Sequence, residues 1–155
     1  MSQHPIISPR DEIINTMIDL AHLSRSQRIV VAGSDSPELY LALRRRGFAY
    51  PVLASGGRIP RAQYSAGLIA GEHSFQAIET AVTQISVFLG AVANVAILIE
   101  SQESGLGVKV RNRLQQLGFH VEAGARCRDR FVLAAHRQDF DQGFGQSRGT
   151  IANVA

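Results

Sequence analysis

Three short stretches carry side chains that could do chemistry. Gly33-Ser34-Asp35-Ser36 follows the apolar run Ile29-Val30-Val31-Ala32 and precedes Pro37-Glu38. A glycine lets backbone come close to a ligand, and amides at a helix start can hold an anion or nucleotide phosphate. The same residues also read as a plain capped turn, with Asp35 competing with Ser36 for the cap. Gly71-Glu72-His73 follows a second apolar run, Ala66–Ala70. It sets a carboxylate beside an imidazole, either of which could act as a base, or which could simply open the next helix. Arg126, Arg128 and Arg130 alternate around a short turn. Period-two spacing would put three guanidinium groups on one side, suited to phosphate or RNA, or merely solvated. No aromatic residue interleaves them in sequence, so a base-stacking platform is not indicated. Cys127 lies among these arginines without an evident histidine partner, and His4, His22, His120 and His136 lack metal-ligand spacing, so no metal site is expected.

The elements that must position these groups follow from periodicity. Residues 1–7 read as a loose tail, and Ser8-Pro9-Arg10-Asp11 as a capped helix start. Ile13, Ile14, Met17, Ile18 and Ala21 then give one broad apolar face. Ile29–Ala32 has no polar alternation, the mark of a strand buried on both faces. Ser36-Pro37-Glu38 opens a helix that Arg44-Arg45-Arg46 and Gly47 close. Phe48–Ala54 is a second strand, and Pro51, lacking an amide donor, assigns it to a sheet edge or an irregularity. Ala66–Ala70 is a third strand. Phe75, Ile78, Val82, Ile85 and Leu89 mark a helix opened by His73 or Ser74 and stopped by Gly90. Val95–Ile99 is a central strand, Glu100–Gly107 a polar loop, and Val108–Leu117 a short basic helix closed by Gly118. Phe119–Ala125 and Phe131–His136 are separated by five residues, too few for a crossover helix, so they should form an antiparallel hairpin. The expected organisation is one α/β domain over residues 1–137 and a flexible tail over residues 138–155.

Composition narrows the class. Hydrophobic residues at 45% and charged residues at 19% describe a globular chain rather than a disordered one. No apolar run approaches the roughly 20 residues that span a bilayer, and the N-terminus lacks a secretory apolar core. The single cysteine excludes an internal disulfide and a cysteine-based zinc cage. Together these point to the cytoplasm. The net charge of +3 allows a nucleic-acid partner without requiring one.

The element order resembles that of class I S-adenosylmethionine-dependent methyltransferases over residues 9–137. EIINTMIDLAHLSRSQRIVVAG resembles the family's leading helix, first strand and glycine loop. YSAGLIAG is similar to the strand that ends at the methyl-transfer site, and LQQLGFHVEAG with FVLAAHR to the last helix and hairpin. The resemblance implies a Rossmann-like three-layer fold with a mostly parallel sheet and a C-terminal antiparallel hairpin. It also implies S-adenosylmethionine at Gly33, Ser34, Asp35, Ser36, Ser55 and Gly71, with Glu72 or His73 as a base. The departures are specific. Only Gly33 remains of the usual three-glycine loop, and Ala54-Ser55 stand where the family binds the ribose with a carboxylate. The segment Ser55–Gln63 is too short for the usual helix, strand and helix, so the fold should be one strand–helix unit short. The expectation is a methyltransferase-like domain degenerate in cofactor binding that works as a binding or assembly module, partnered by a protein or a second copy. An active small methyltransferase with an unorthodox loop is the alternative, and a basic nucleic-acid-binding module the second. RIVVAGSDSPELYLALRRRGFAYPVLASGG also resembles the opening of a response-regulator receiver. That fold lacks the closing hairpin and needs a phosphate-accepting aspartate where this chain has Ala70-Gly71.

Overall fold

The computed structural model of the chain describes residues 8–100 and 103–138. In chain order the elements are α1 (Pro9–Leu20), β1 (Arg28–Ala32), α2 (Ser36–Arg45), β2 (Tyr50–Leu53) and β3 (Tyr64–Ile69). They continue with α3 (Phe75–Phe88), β4 (Leu89–Ile99), α4 (Leu106–Gln116), β5 (Phe119–Cys127) and β6 (Arg130–Gln138). The six strands form one sheet in the order β2-β1-β3-β4-β6-β5. The first four strands are mutually parallel, and β6 runs antiparallel to both β4 and β5. The closing hairpin is therefore present, inserted so that its second strand lies inside and its first forms the edge.

Alternation along the strands sorts the core into two layers. Ile29 and Val31 pack with Ile13, Met17, Leu39 and Leu43 of α1 and α2. Val30 and Ala32 pack on the other side with Ile78, Val82 and Ile85 of α3 and Leu106, Val110 and Leu114 of α4. This two-sided burial is why β1 reads as an unbroken apolar run. Packing is close enough to dictate a glycine: a Cβ on Gly67 of β3 would come within 2.7 Å of Ile85 Cδ1. β2 is an edge strand, as Pro51 requires, and leaves Tyr50 56% exposed. From β2 the chain reaches β3 through residues 54–63 without a helix or strand. Ile59 packs on the α3–α4 layer, so a bare linker takes the place of the helix, strand and helix.

The helix starts follow their caps. Ser8 Oγ accepts from the Asp11 amide at 3.1 Å, and Ser74 Oγ from the Ala77 amide at 3.1 Å. Gly47, at φ 90°, closes α2 in the left-handed region. The C-terminus of α3 differs from expectation. Gly90 is not a left-handed stop; α3 runs directly into β4, which begins at Leu89. Arg137 of β6 is the physical reason, donating to the carbonyls of Leu89 (3.0 Å) and Gly90 (2.9 Å) and to Ser86 Oγ (3.1 Å). A cation thus satisfies the carbonyls at the negative end of the helix dipole, and pairing of Val92 with Gln138 carries the strand back to the helix. α4 begins two residues earlier than expected because Leu106, only 2% exposed, anchors its first turn. Gln138 belongs to β6 rather than to a tail. The remainder of the expected tail, and the loose segment at residues 1–7, lie outside the described residues. Among the described residues no helix is long and apolar enough to cross a membrane.

Candidate functional site

Strand order places a topological switch point between β1 and β3, at their carboxyl ends. The chain leaves β1 through α2 on one face and leaves β3 through α3 on the other. The crevice opened by such a reversal is where open α/β sheets bind ligands. Two of the candidate stretches, Gly33–Ser36 and Gly71–His73, are the loops that flank it.

These loops close on one another. The Asp35 amide donates to the Ala70 carbonyl at 3.1 Å, and the Ser36 amide donates to the Gly33 carbonyl at 3.1 Å. Ser34 Oγ donates to Glu72 Oε1 at 3.1 Å. Gly33 and Gly71 have φ values of 99° and 93°. A Cβ on Gly33 would lie 2.1 Å from the Ala70 oxygen, and one on Gly71 would lie 2.4 Å from the Asp35 nitrogen. Both glycines are thus required by loop against loop, not by open space for a ligand. Asp35 holds the cap position of α2 with no side-chain cap bond, and Ser36 is buried at 7% exposure.

On each side of this seam lies a cavity. The one toward α3, about 290 Å³, is lined by Gly33, Ser34, Ser36, Ser55, Glu72 and Gln84, among others. Its polar groups are hydroxyls, a carboxamide and one carboxylate that Ser34 already engages. The one toward α1 and α2, about 80 Å³, is floored by Ile13, Met17, Leu39 and Leu98 and rimmed by Arg10, Asp35, Glu38, Glu100 and Arg130. Glu100, at the end of β4, is its fixed point. Its side chain is only 10% exposed; Oε2 accepts from the Gly71 amide at 3.2 Å and Oε1 pairs with Arg130 Nε at 3.4 Å. Arg10 pairs with Glu38 across the mouth. The Glu38 carboxylate, by hydrogen bond and charge, raises the Arg10 guanidinium above its ordinary pKa, and Asp35 and Glu100 add to this through space.

The sequence-derived candidates are therefore distributed as follows. Gly33, Ser34, Asp35, Ser36, Gly71 and Glu72 meet at the seam, and Ser55 joins them on the α3 side. His73 is exposed and lines neither cavity. The three arginines do not share one side. Arg126 opposes Phe131 across the hairpin while Cys127 opposes Arg130, and neighbouring residues of a strand face opposite ways. Arg128, at φ 60° in the turn, reaches Glu12 at 3.2 Å, and Arg130 reaches Glu100. Two of the three thus tie the hairpin to α1 and to the end of β4. Buried Cys127 donates to Thr16 Oγ1 at 3.1 Å, a packing contact with α1. Glu100, read from sequence only as the start of a polar loop, is the functional candidate that was missed. The available signal was its position directly after the most central buried strand.

No protein-family model and no curated protein matches the chain by sequence. Solved structures do match by fold. The 1,6-didemethyltoxoflavin-N1-methyltransferase of Burkholderia thailandensis, solved with S-adenosylhomocysteine, superposes with a TM-score of 0.62 at 12% identity, covering 86% of this chain and 80% of that one. A SAM-dependent methyltransferase from Aquifex aeolicus gives 0.57 at 10% identity, covering 84% and 90%. The protein-(glutamine-N5) methyltransferase of Alicyclobacillus acidocaldarius gives 0.52 at 15%, covering 90% and 100%. With the strand order, the parallel half-sheet and the inserted closing hairpin, these likenesses identify the fold: the chain has a divergent, methyltransferase-like Rossmann fold.

Proposed function

We propose that this domain is degenerate in cofactor binding and acts as a binding module rather than as a working methyltransferase. The observation that carries the reading is the seam. The Asp35 amide is bonded to Ala70, and the Gly71 amide is bonded to Glu100. A ligand entering between β1 and β3 would have to break these contacts before making its own. Ala54 and Ser55 at the end of β2 offer no carboxylate to accept two ribose hydroxyls. Each lost hydrogen bond to a charged group is worth about 1.5–3 kcal/mol, so the missing pair alone weakens binding by about a hundredfold or more.

Titration calorimetry with S-adenosylmethionine and S-adenosylhomocysteine tests this. The expected dissociation constants lie above roughly 100 µM, two orders weaker than low-micromolar working binding. Low-micromolar binding that Asp35→Ala abolishes would overturn the reading and favour the active enzyme. That alternative is supported by neighbours of the same fold whose structures hold S-adenosylhomocysteine or S-adenosylmethionine.

A further inference from the structure

Charge is unevenly distributed along this chain. No carboxylate stands between Asp19 and Asp35, nor between Glu38 and Glu72, while the first gap holds two arginines and the second five. Folding brings four of these cations to the amino edge of the sheet, around the start of β2. Arg25 accepts the Ala49 amide on its carbonyl at 3.1 Å, and its Nε donates to the Arg46 carbonyl at 2.8 Å. Arg44 donates to the Ala49 carbonyl at 2.9 Å. Arg28 is the register neighbour of Tyr50. It donates to Gln63 Oε1 at 3.1 Å, and its guanidinium lies over the Tyr64 ring, 4.9 Å from the centroid. Arg61 is carried to the same edge because the next two amides, of Ala62 and Gln63, donate to the Val87 and Phe88 carbonyls at the end of α3. All four cations are exposed, and among the described residues none of them makes an ion pair. The guanidinium groups of Arg25, Arg28 and Arg44 are anchored through one N–H each to neutral acceptors, with most of their five donors left over. Tyr50 is a second, independent feature. Among the described residues it is the only aromatic of the strongly exposed large apolar side chains, at 56%, and it opens an edge strand. The stacking ring that the hairpin arginines lack in sequence is present here.

We propose that this amino edge binds single-stranded nucleic acid, one base stacking on Tyr50 beside Arg28 and the adjoining phosphates held by Arg25, Arg44 and Arg61. Guanidinium forks match phosphate oxygens in pairs, and an aromatic face takes any base whatever its sequence. A duplex fits less well, because its bases are already paired and stacked and this edge presents no helix or ribbon to enter a groove. An acidic peptide would meet the guanidinium groups but brings no planar base to the ring. The surface lies at the opposite end of β1 from the Gly33–Gly71 seam, so it needs no cofactor in the crevice. The inference supplies a partner for the binding-module reading above and rests on it.

The test uses the full chain and a fluorescein-labelled oligothymidylate, read by fluorescence anisotropy at increasing salt. Saturable binding is expected, with log affinity falling against log salt at a slope of about −2, as roughly three phosphate contacts to a single strand give. Tyr50→Ala should weaken binding about fivefold or more, and Tyr50→Phe, which keeps the ring, by less than about twofold. Arg44→Gln and Arg61→Gln should each weaken it and flatten the salt slope by about 0.7. Arg126→Gln, exposed but on the distant hairpin, should leave affinity unchanged. No saturable binding, equal affinity for a duplex of the same length or for polyglutamate, or a Tyr50→Ala variant that binds as the parent does would each overturn the proposal. Should Tyr50→Ala fail to fold by circular dichroism, unchanged salt slopes in Arg44→Gln and Arg61→Gln overturn it instead. The cofactor titration distinguishes the two readings. Low-micromolar S-adenosylmethionine binding fails the binding-module reading itself, whereas weak cofactor binding with no oligonucleotide response fails this inference alone.

Discussion

The two cavities at the carboxyl edge of the sheet lie back to back, yet they are held by different physics. The one toward α3 is walled by serines, a threonine, a glutamine and a single engaged carboxylate. A hydroxyl bonded to that carboxylate and close packing define it. The one toward α1 and α2 is an apolar hollow ringed by five ionised groups, and ion pairs from α1 to α2 and from β6 to the end of β4 hold its rim. The difference teaches that the Gly33–Gly71 seam is not a mere loop contact. It separates a compartment with a single carboxylate from one ringed by five charged groups, in the crevice that a Rossmann-like fold ordinarily leaves open for one ligand.

Breaking the seam should have the largest effect. Gly33→Ala places a methyl group 2.1 Å from the Ala70 oxygen and in a left-handed conformation. Left-handed strain and overpacking together predict a loss of about 2–5 kcal/mol in unfolding free energy, measurable by urea denaturation. If the variant folds, the compartments should merge, seen as altered amide shifts on both sides. A loss below about 1 kcal/mol would show that the loops separate easily. Ser34→Ala is a gentler probe, since it removes only the exposed bond to Glu72. A bond to a carboxylate is worth about 1.5–3 kcal/mol at most; this one is exposed, so a loss of about 0.5–1.5 kcal/mol is expected, with amide shifts confined to the α3 side.

Acid should act on a tie between α1 and the end of α2 that lies outside both cavities, leaving the contrast between them in place. The Arg46 guanidinium, then the Ser8 hydroxyl, hold the Asp11 carboxyl below its ordinary pKa by hydrogen bonding to it. A carboxylate depressed in the native state contributes stability above its unfolded pKa and loses it as pH falls through the native value. The tie between α1 and α2 should therefore weaken as pH drops below about 4. Asp11→Asn should make the decline of melting temperature in that window shallower. A decline of unchanged slope would remove Asp11 from the account. This is the smallest of the three effects, because the carboxylate is about half exposed and water screens it.

Much of the frame was legible before any coordinates. The capping hydroxyls of Ser8 and Ser74, the left-handed close at Gly47, the edge placement of Pro51 and the closing hairpin all follow from chemistry within a few residues. Period-two spacing does not bring the three arginines to one side, because the hairpin turn interrupts strand alternation between them. With Arg128 and Asp129 forming the turn, Arg126 and Arg130 fall on opposite faces. The same pairing brings Phe131 opposite Arg126, a neighbour that spacing in sequence concealed. Arg137 ends a helix some 50 residues earlier, a role that nothing in its own sequence neighbourhood announces.

By itself, then, the sequence determined the order of strands and helices along the chain, the capped starts of α1 and α3, and the absence of the glycines and carboxylate expected for a nucleoside cofactor. Those features depend on periodicity, caps and residue identity, which act locally. Only the tertiary structure decided that the Asp35 amide belongs to Ala70, that Glu100 reaches Gly71 and Arg130, and that the crevice is divided into two compartments, one with a single carboxylate and one ringed by charges. These are meetings of residues roughly 30 apart, set by the parallel register of β1, β3 and β4 and, for Glu100 with Arg130, by the antiparallel pairing of β4 with β6. A parallel register has no turn chemistry to announce it in the sequence, and it becomes definite only when both faces of the sheet are packed.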